Sequence, residues 1–201
     1  MLRNILLTVG IGISGSAAAE FGPTNRSING TGETLAANKC EVGLRTLACG
    51  VTDNVLISAP MLSILTGDGE VEMRRRFGLF ENMRITPAIT AGTPIHFGGR
   101  LDLGIDLGMD RQHSVTLTFE TKWSAKTAIP VEKYSPDKAY RFTGYLGGEY
   151  DFYFAGNVAY IGLVRQVPYL GYTWAWEHFH VGLITSNRSR FFPIPYFYWR
   201  F

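Results

Sequence analysis

The chain has 201 residues, of which 46% are hydrophobic and 18% charged, and a formal net charge of +2. That is enough for one domain or at most two, apolar for a small soluble protein, and too evenly charged for a nucleic-acid or polybasic membrane surface. No segment supplies the roughly 18 to 20 continuous apolar residues of a membrane-spanning helix, so the apolar content is dispersed.

The first element is the run "MLRNILLTVGIGISGSAAAE". Arg3 makes a positive start, Ile5 to Ile13 a nine-residue apolar stretch, and Ala17-Ala18-Ala19 a small-residue cleavage site. The pattern predicts a secretory signal peptide over 1–19, with the mature chain starting at Glu20. Loss of Arg3 leaves 18 of the 19 basic residues against 17 acidic ones, a net charge of +1.

Beyond it, alternation with a period of two replaces helical periodicity. In "RLDLGIDLGMD", Leu101, Leu103, Ile105, Leu107 and Met109 fall on one face, with Arg100, Asp102, Gly104, Asp106 and Gly108 on the other. "SVTLTFETKW" sets Val115, Leu117, Phe119 and Trp123 against Thr116, Thr118, Glu120 and Lys122, and "YRFTGYLGGEYDFYF" sets Phe142, Leu146, Tyr150 and Phe152 against Arg141, Thr143, Glu149 and Asp151. In chain order the predicted strands are 25–34, 39–48, 54–62, 70–79, 83–91, 100–109, 113–123, 139–152, 157–165, 168–176, 178–185 and 191–201. Twelve is an even number, as single-chain bacterial barrels require, and ten is the alternative count. Arg75 breaks the pattern, falling between Met73 and Phe77 on the apolar face, where it either snorkels to an interface or marks a bulge.

Alternation suits a soluble antiparallel sandwich, with the apolar face inward, or a membrane barrel, with that face toward lipid. Three features favour the barrel. The polar face carries small, mutually opposite charges, as a crowded hydrated lumen would. Trp123, Tyr140, Trp174, Trp176 and Trp199 sit at strand ends, where an interfacial girdle takes amphipathic rings. Short turns at 51–54, 80–83 and 110–113 contrast with a longer connection at 124–138. The fold class is therefore all-β, a transmembrane antiparallel up-and-down barrel over 20–201. Its expected lumen lining is Glu72, Arg74, Arg76, Arg84, Arg100, Asp102, Asp106, Glu120, Lys122, Arg141, Glu149 and Asp151.

The last strand is the most specific segment. Seven of the last eleven residues are aromatic, and Phe197, Trp199 and Phe201 alternate with Tyr196, Tyr198 and Arg200. This resembles the C-terminal assembly signal of Gram-negative outer-membrane β-barrel proteins, which end in Phe with aromatics at alternating positions before it. The resemblance implies an outer-membrane location, recognition by the barrel-assembly machinery, contact with membrane lipid and lipopolysaccharide, and a last strand that pairs with the first. More locally, "GETLAANKCEVGLRTLACGVTDNVLISAP" is similar to a stretch near the start of some exported bacterial proteins, with Cys49 where an aromatic is usual; this implies strand order and no activity.

Chemistry is sparse. Cys40 and Cys49 lie nine residues apart in what reads as one strand, a span of ~30 Å that excludes a bridge within it, so both are expected as free thiols. No metal or cofactor spacing occurs. His178 and His180 read as one strand face, able to share a metal or to place a base near Ser186 or Ser189, with the plainer alternative that both line the lumen. Outer-membrane lipid A deacylases carry His-x-Ser-Asn near their last strands, whereas "HVGLITSN" puts His180 and Ser186 six residues apart, about 20 Å along a strand. Glu149 and Asp151 are expected to join Arg100 and Arg141 in a salt network. The function expected is non-enzymatic, a narrow pore for small solutes or a closed structural barrel. A lipid hydrolase or acyltransferase and, more weakly, a soluble secreted sandwich are the alternatives.

Overall fold

The computed structural model describes residues 27–28, 31–61, 69–93, 96–125, 140–176 and 178–201. The expected signal peptide and most of the 124–138 connection lie outside these residues. The side chains of Tyr140 and Arg141 lie outside them too.

The alternating segments form an antiparallel sheet that closes on itself. Its strands are β1 (Cys40–Gly43), β2 (Thr46–Thr52), β3 (Val55–Pro60), β4 (Glu70–Arg75), β5 (Phe77–Phe80), β6 (Met83–Gly92) and β7 (His96–Leu107). They continue as β8 (His113–Ala125), β9 (Tyr140–Phe154), β10 (Asn157–Val164), β11 (Val167–Trp176), β12 (Phe179–Ser186) and β13 (Ile194–Arg200). β4 and β5 are two halves of one barrel strand. Both pair with β6 in one register from Glu70 opposite Gly92 to Phe77 opposite Ile85; the ladder skips Arg75 and Arg76, where the Arg76 amide donates to the Asn54 carbonyl, and the register shifts between Gly78 and Phe80. The wall therefore has twelve strands. β1 pairs with β13 through Glu41↔Arg200, Val42↔Trp199 and Gly43↔Tyr198, so the first strand meets the last and no edge is left open.

Strand facing follows the sequence pattern. Leu103, Leu117, Phe119, Phe142, Leu146, Ile161, Leu170, Leu183, Phe197 and Trp199 are exposed on the outside. Arg84, Thr86, Asp102, Asp106, Ser114, Thr116, Glu149 and Asp151 are buried inside. This inverts the distribution of a water-soluble core, in which large apolar side chains are the buried ones. Outward rings also gather toward the end of the barrel that carries Phe201: His113 stacks on Phe152, Phe152 on Phe154, and Tyr172 meets Trp174 edge-on. Arg75 lies near the same end, opposite Val55 beside the β2–β3 turn, exposed with its guanidinium 4.9 Å from the centre of the Phe77 ring. The register with β6 is the same on either side of it, so the facing needs no slip.

On the inner face, large rings lie across glycines of the paired strand. Tyr160 covers Gly171 and Tyr196 covers Gly182, each leaving under 2.5 Å to the place a Cβ would take. Only glycine permits so close an approach, and the ring shields the bare backbone in return.

Two expected strands differ from those observed, and the two differences cancel in the count. The span 39–48 is a hairpin, β1 and β2, folded at Leu44 and Arg45. The hairpin sets Cys40 opposite Cys49, with a Cα separation of 4.1 Å, and the two form a disulfide rather than remaining free thiols. Closing this short loop is worth roughly 2 to 3 kcal/mol in the chain-entropy picture, so Cys40→Ser is expected to lower unfolding stability by about that much. Alkylation checks the pairing directly: the native protein should take up no thiol reagent until reduced. The span 25–34 supplies no strand among its described residues. Its polar residues lack an apolar face to present outward, and Ser27, Ile28, Thr31, Gly32 and Glu33, followed by Leu35, are buried inside instead, before the chain emerges at 36–39.

Candidate functional site: the filled barrel interior

An eight-stranded barrel is just wide enough for its own side chains to fill, so twelve strands enclose surplus volume. Part of that volume is taken by the segment before β1. Leu35 and Ile28 pack on Ala48 of β2 and Leu56 of β3 in a small apolar cluster. Gly50 lets the backbone of Leu35 and Ala36 press against β2, and the turn at Asn38, φ 62°, feeds the chain into β1. Thr34 donates to the carbonyl of Asp53 at 2.9 Å, while Asp53 accepts from the amide of Ala37 at 2.9 Å.

Most of the remaining contacts are polar and fall on β4, β6 and the break between β4 and β5. Arg74 directs one Nη1 to the carbonyls of Ile28 (3.3 Å), Thr31 (3.0 Å) and Glu33 (3.5 Å). Thr86 donates to the carbonyl of Gly32 at 2.6 Å. The Glu33 carboxylate is split between two arginines, Oε1 in an ion pair with Arg84 at 2.9 Å from Nε, and Oε2 accepting a hydrogen bond from Arg76 Nη1 at 2.8 Å.

The expected lining residues are largely brought together on the inner face, in local pairs. Arg84 also donates to Asp106 at 2.8 Å and to Ser114 at 2.9 Å. Arg74 holds Glu72 through Nε at 2.8 Å. Asp102 accepts from Arg100 at 2.9 Å and from Thr118 at 2.6 Å. Glu70, which the sequence reading left out, takes Lys122 at 2.8 Å and His96 at 2.9 Å. Its signal was available: it is in phase with Glu72 and Arg74.

One expected pairing is not formed. Arg100 is committed to Asp102, its neighbour two residues along β7, so Glu149 is instead held by the hydroxyl of Tyr169. The β11 backbone brings that ring across Gly162 to reach it. Arg141 sits in β9 opposite Ser124, with its side chain outside the described residues.

Two clefts open at the end remote from Phe201. One, of about 370 Å³, lies among Arg100, Thr118, Glu120, Tyr145, Arg165 and Tyr169. Arg165 lies beside it in the tight turn Arg165–Gln166, with positive φ values of 47° and 65°, that aims Arg165 at Glu120. The hydrogen bond to Glu120 raises the guanidinium above its ordinary value. The other, of about 570 Å³, lies among Ile28, Thr46, Ser58, Glu70, Glu72, Arg74 and Arg100.

The histidines do not act as a pair. β12 begins at Phe179, so His178 is left in the turn, exposed, with its ring 6.1 Å from that of Trp199. His180 is fully buried inside and stacked on Tyr198 at 4.5 Å. Ser186 and Ser189 cap a short 3-10 turn, Asn187–Ser189, at the other end of β12 from His180. Compared with known proteins, the chain matches no family model, no curated protein and no solved structure.

Proposed function

We propose that the protein is an integral outer-membrane β-barrel, non-enzymatic, whose polar interior is a narrow pathway for small solutes that its own N-terminal segment fills. The observation that carries this reading is the inverted burial: an apolar exterior around a charged, hydrogen-bonded interior suits lipid outside and water within. Closure of β1 on β13 supports it, because hydrocarbon tolerates no unpaired strand edge. The alternating aromatics of the last strand support an outer-membrane location, with lipopolysaccharide and the barrel-assembly machinery as partners. The ion pairs across β4 to β8 are accounted for by mutual neutralisation in a confined interior, and need no catalytic role.

Refolding into lipid tests this. The unboiled protein is expected to migrate differently from the boiled one on a denaturing gel, and to give small discrete conductance steps in a planar bilayer. Identical mobility would count against a barrel that lipid and detergent hold closed. Silence in the bilayer together with fatty-acid release from lipid would replace the pore with an enzyme.

A further inference from the structure

We infer that the inner wall formed by β4 and β6 is a binding site for small carboxylates, occupied by Glu33 of the same chain. The inference rests on the barrel reading above. Filling volume needs only apolar or neutral side chains; this segment instead presents one carboxylate, each oxygen taken by a different arginine. The site is built: the Arg84 and Arg74 residues are 7% and 8% exposed, and neighbours rather than solvent fix their guanidinium groups.

The charge balance points the same way. Arg74, Arg76 and Arg84 face Glu72 and Asp106 from the wall itself, so three positive charges meet two negative ones until Glu33 enters. Arg76 is the residue left over. Its other described hydrogen bond runs to the side chain of Asn54 at 3.4 Å, and its side chain is 34% exposed, within reach of an incoming ligand. Arg74 supplies a second anchor, because the Nη1 that now meets three peptide carbonyls can meet a second carboxylate. The segment is attached mainly through polar contacts, which water or a ligand can replace, and through the small cluster of Ile28 and Leu35. A dicarboxylate that takes the two arginines is therefore expected to compete with Glu33 and to loosen the segment.

Glutarate is the probe, titrated calorimetrically into the refolded full-length protein, with the gel-mobility shift as the check that each variant is closed. Glu33→Gln should bind glutarate at least tenfold more tightly than the wild type. Adding Arg76→Gln to that variant should remove at least tenfold. Should Glu33→Gln fail to close, Glu33→Asp, which withdraws the carboxylate by one methylene, is expected to bind with intermediate affinity. Equal affinity in the wild type and the Glu33 variant, or full affinity without Arg76, would overturn the site. Glutarate binding by a barrel that passes no current would leave the site standing and remove the pore.

Discussion

Replacing Arg200 by Ala is expected to destabilise the folded barrel by about 3 to 5 kcal/mol, because it removes the cation that faces a buried carboxylate across the seam. Arg200 and Glu41 are register partners across the seam between the last and first strands, 4% and 1% exposed, with Nη2 of Arg200 2.9 Å from Glu41. β1 has only four residues, so the seam's ladder is short, and the ion pair reinforces it. Urea unfolding of the protein refolded in lipid vesicles measures the loss. Glu41→Ala should cost a similar amount for the mirrored reason. The double variant Glu41→Leu, Arg200→Met should recover most of it, since well-packed apolar residues can replace a buried pair. A single variant that loses less than about 1 kcal/mol would show that the seam does not depend on the pair.

Leu117→Arg should cost about 2 to 4 kcal/mol in a bilayer, and the cost should shrink as the bilayer is made thinner. Leu117 lies in the middle of β8, 55% exposed on the outer face, between Leu103 of β7 and Gly148 of β9. Its neighbour Thr118 turns inward, donates to Asp102 and lines the cleft of about 370 Å³. Thr118→Arg should therefore cost little, with Asp102 and Glu120 within reach of the new charge. A ranking measured in buffer alone would not separate contact with lipid from other losses at Leu117, so the dependence on bilayer thickness is the deciding measurement. A penalty at Leu117 that ignores thickness, or a larger penalty at Thr118, would show that the outer face does not meet lipid.

Sequence by itself determined the wall and its facing. The alternation in 100–107 and 113–123 is a local property, since successive side chains of any strand point to opposite faces, and it placed Asp102, Asp106, Thr116 and Leu117 on their observed sides without knowledge of the partner strand. Even the aromatic phase of the last strand was legible, with Tyr196, Tyr198 and Arg200 buried and Phe197, Trp199 and Phe201 exposed. Where alternation failed, the reading failed. Residues 25–34 have no apolar face, and the lodging of Ile28, Thr31 and Glu33 inside the barrel depends on Arg74, Arg76 and Arg84, more than forty residues away in the chain. The Cys40–Cys49 pair was hidden because the only local trace of the Leu44–Arg45 turn is a phase shift of one, with Glu41 and Gly43 inward before it and Ala48 and Gly50 inward after it, which reads locally as an irregularity in one strand. Which acid each arginine meets was likewise decided by register between strands, which set Tyr169 rather than Arg100 beside Glu149. Period-two patterning reports which way a side chain points; only closure of the twelve strands, which fixes the interior volume and its contents, decides what it meets there.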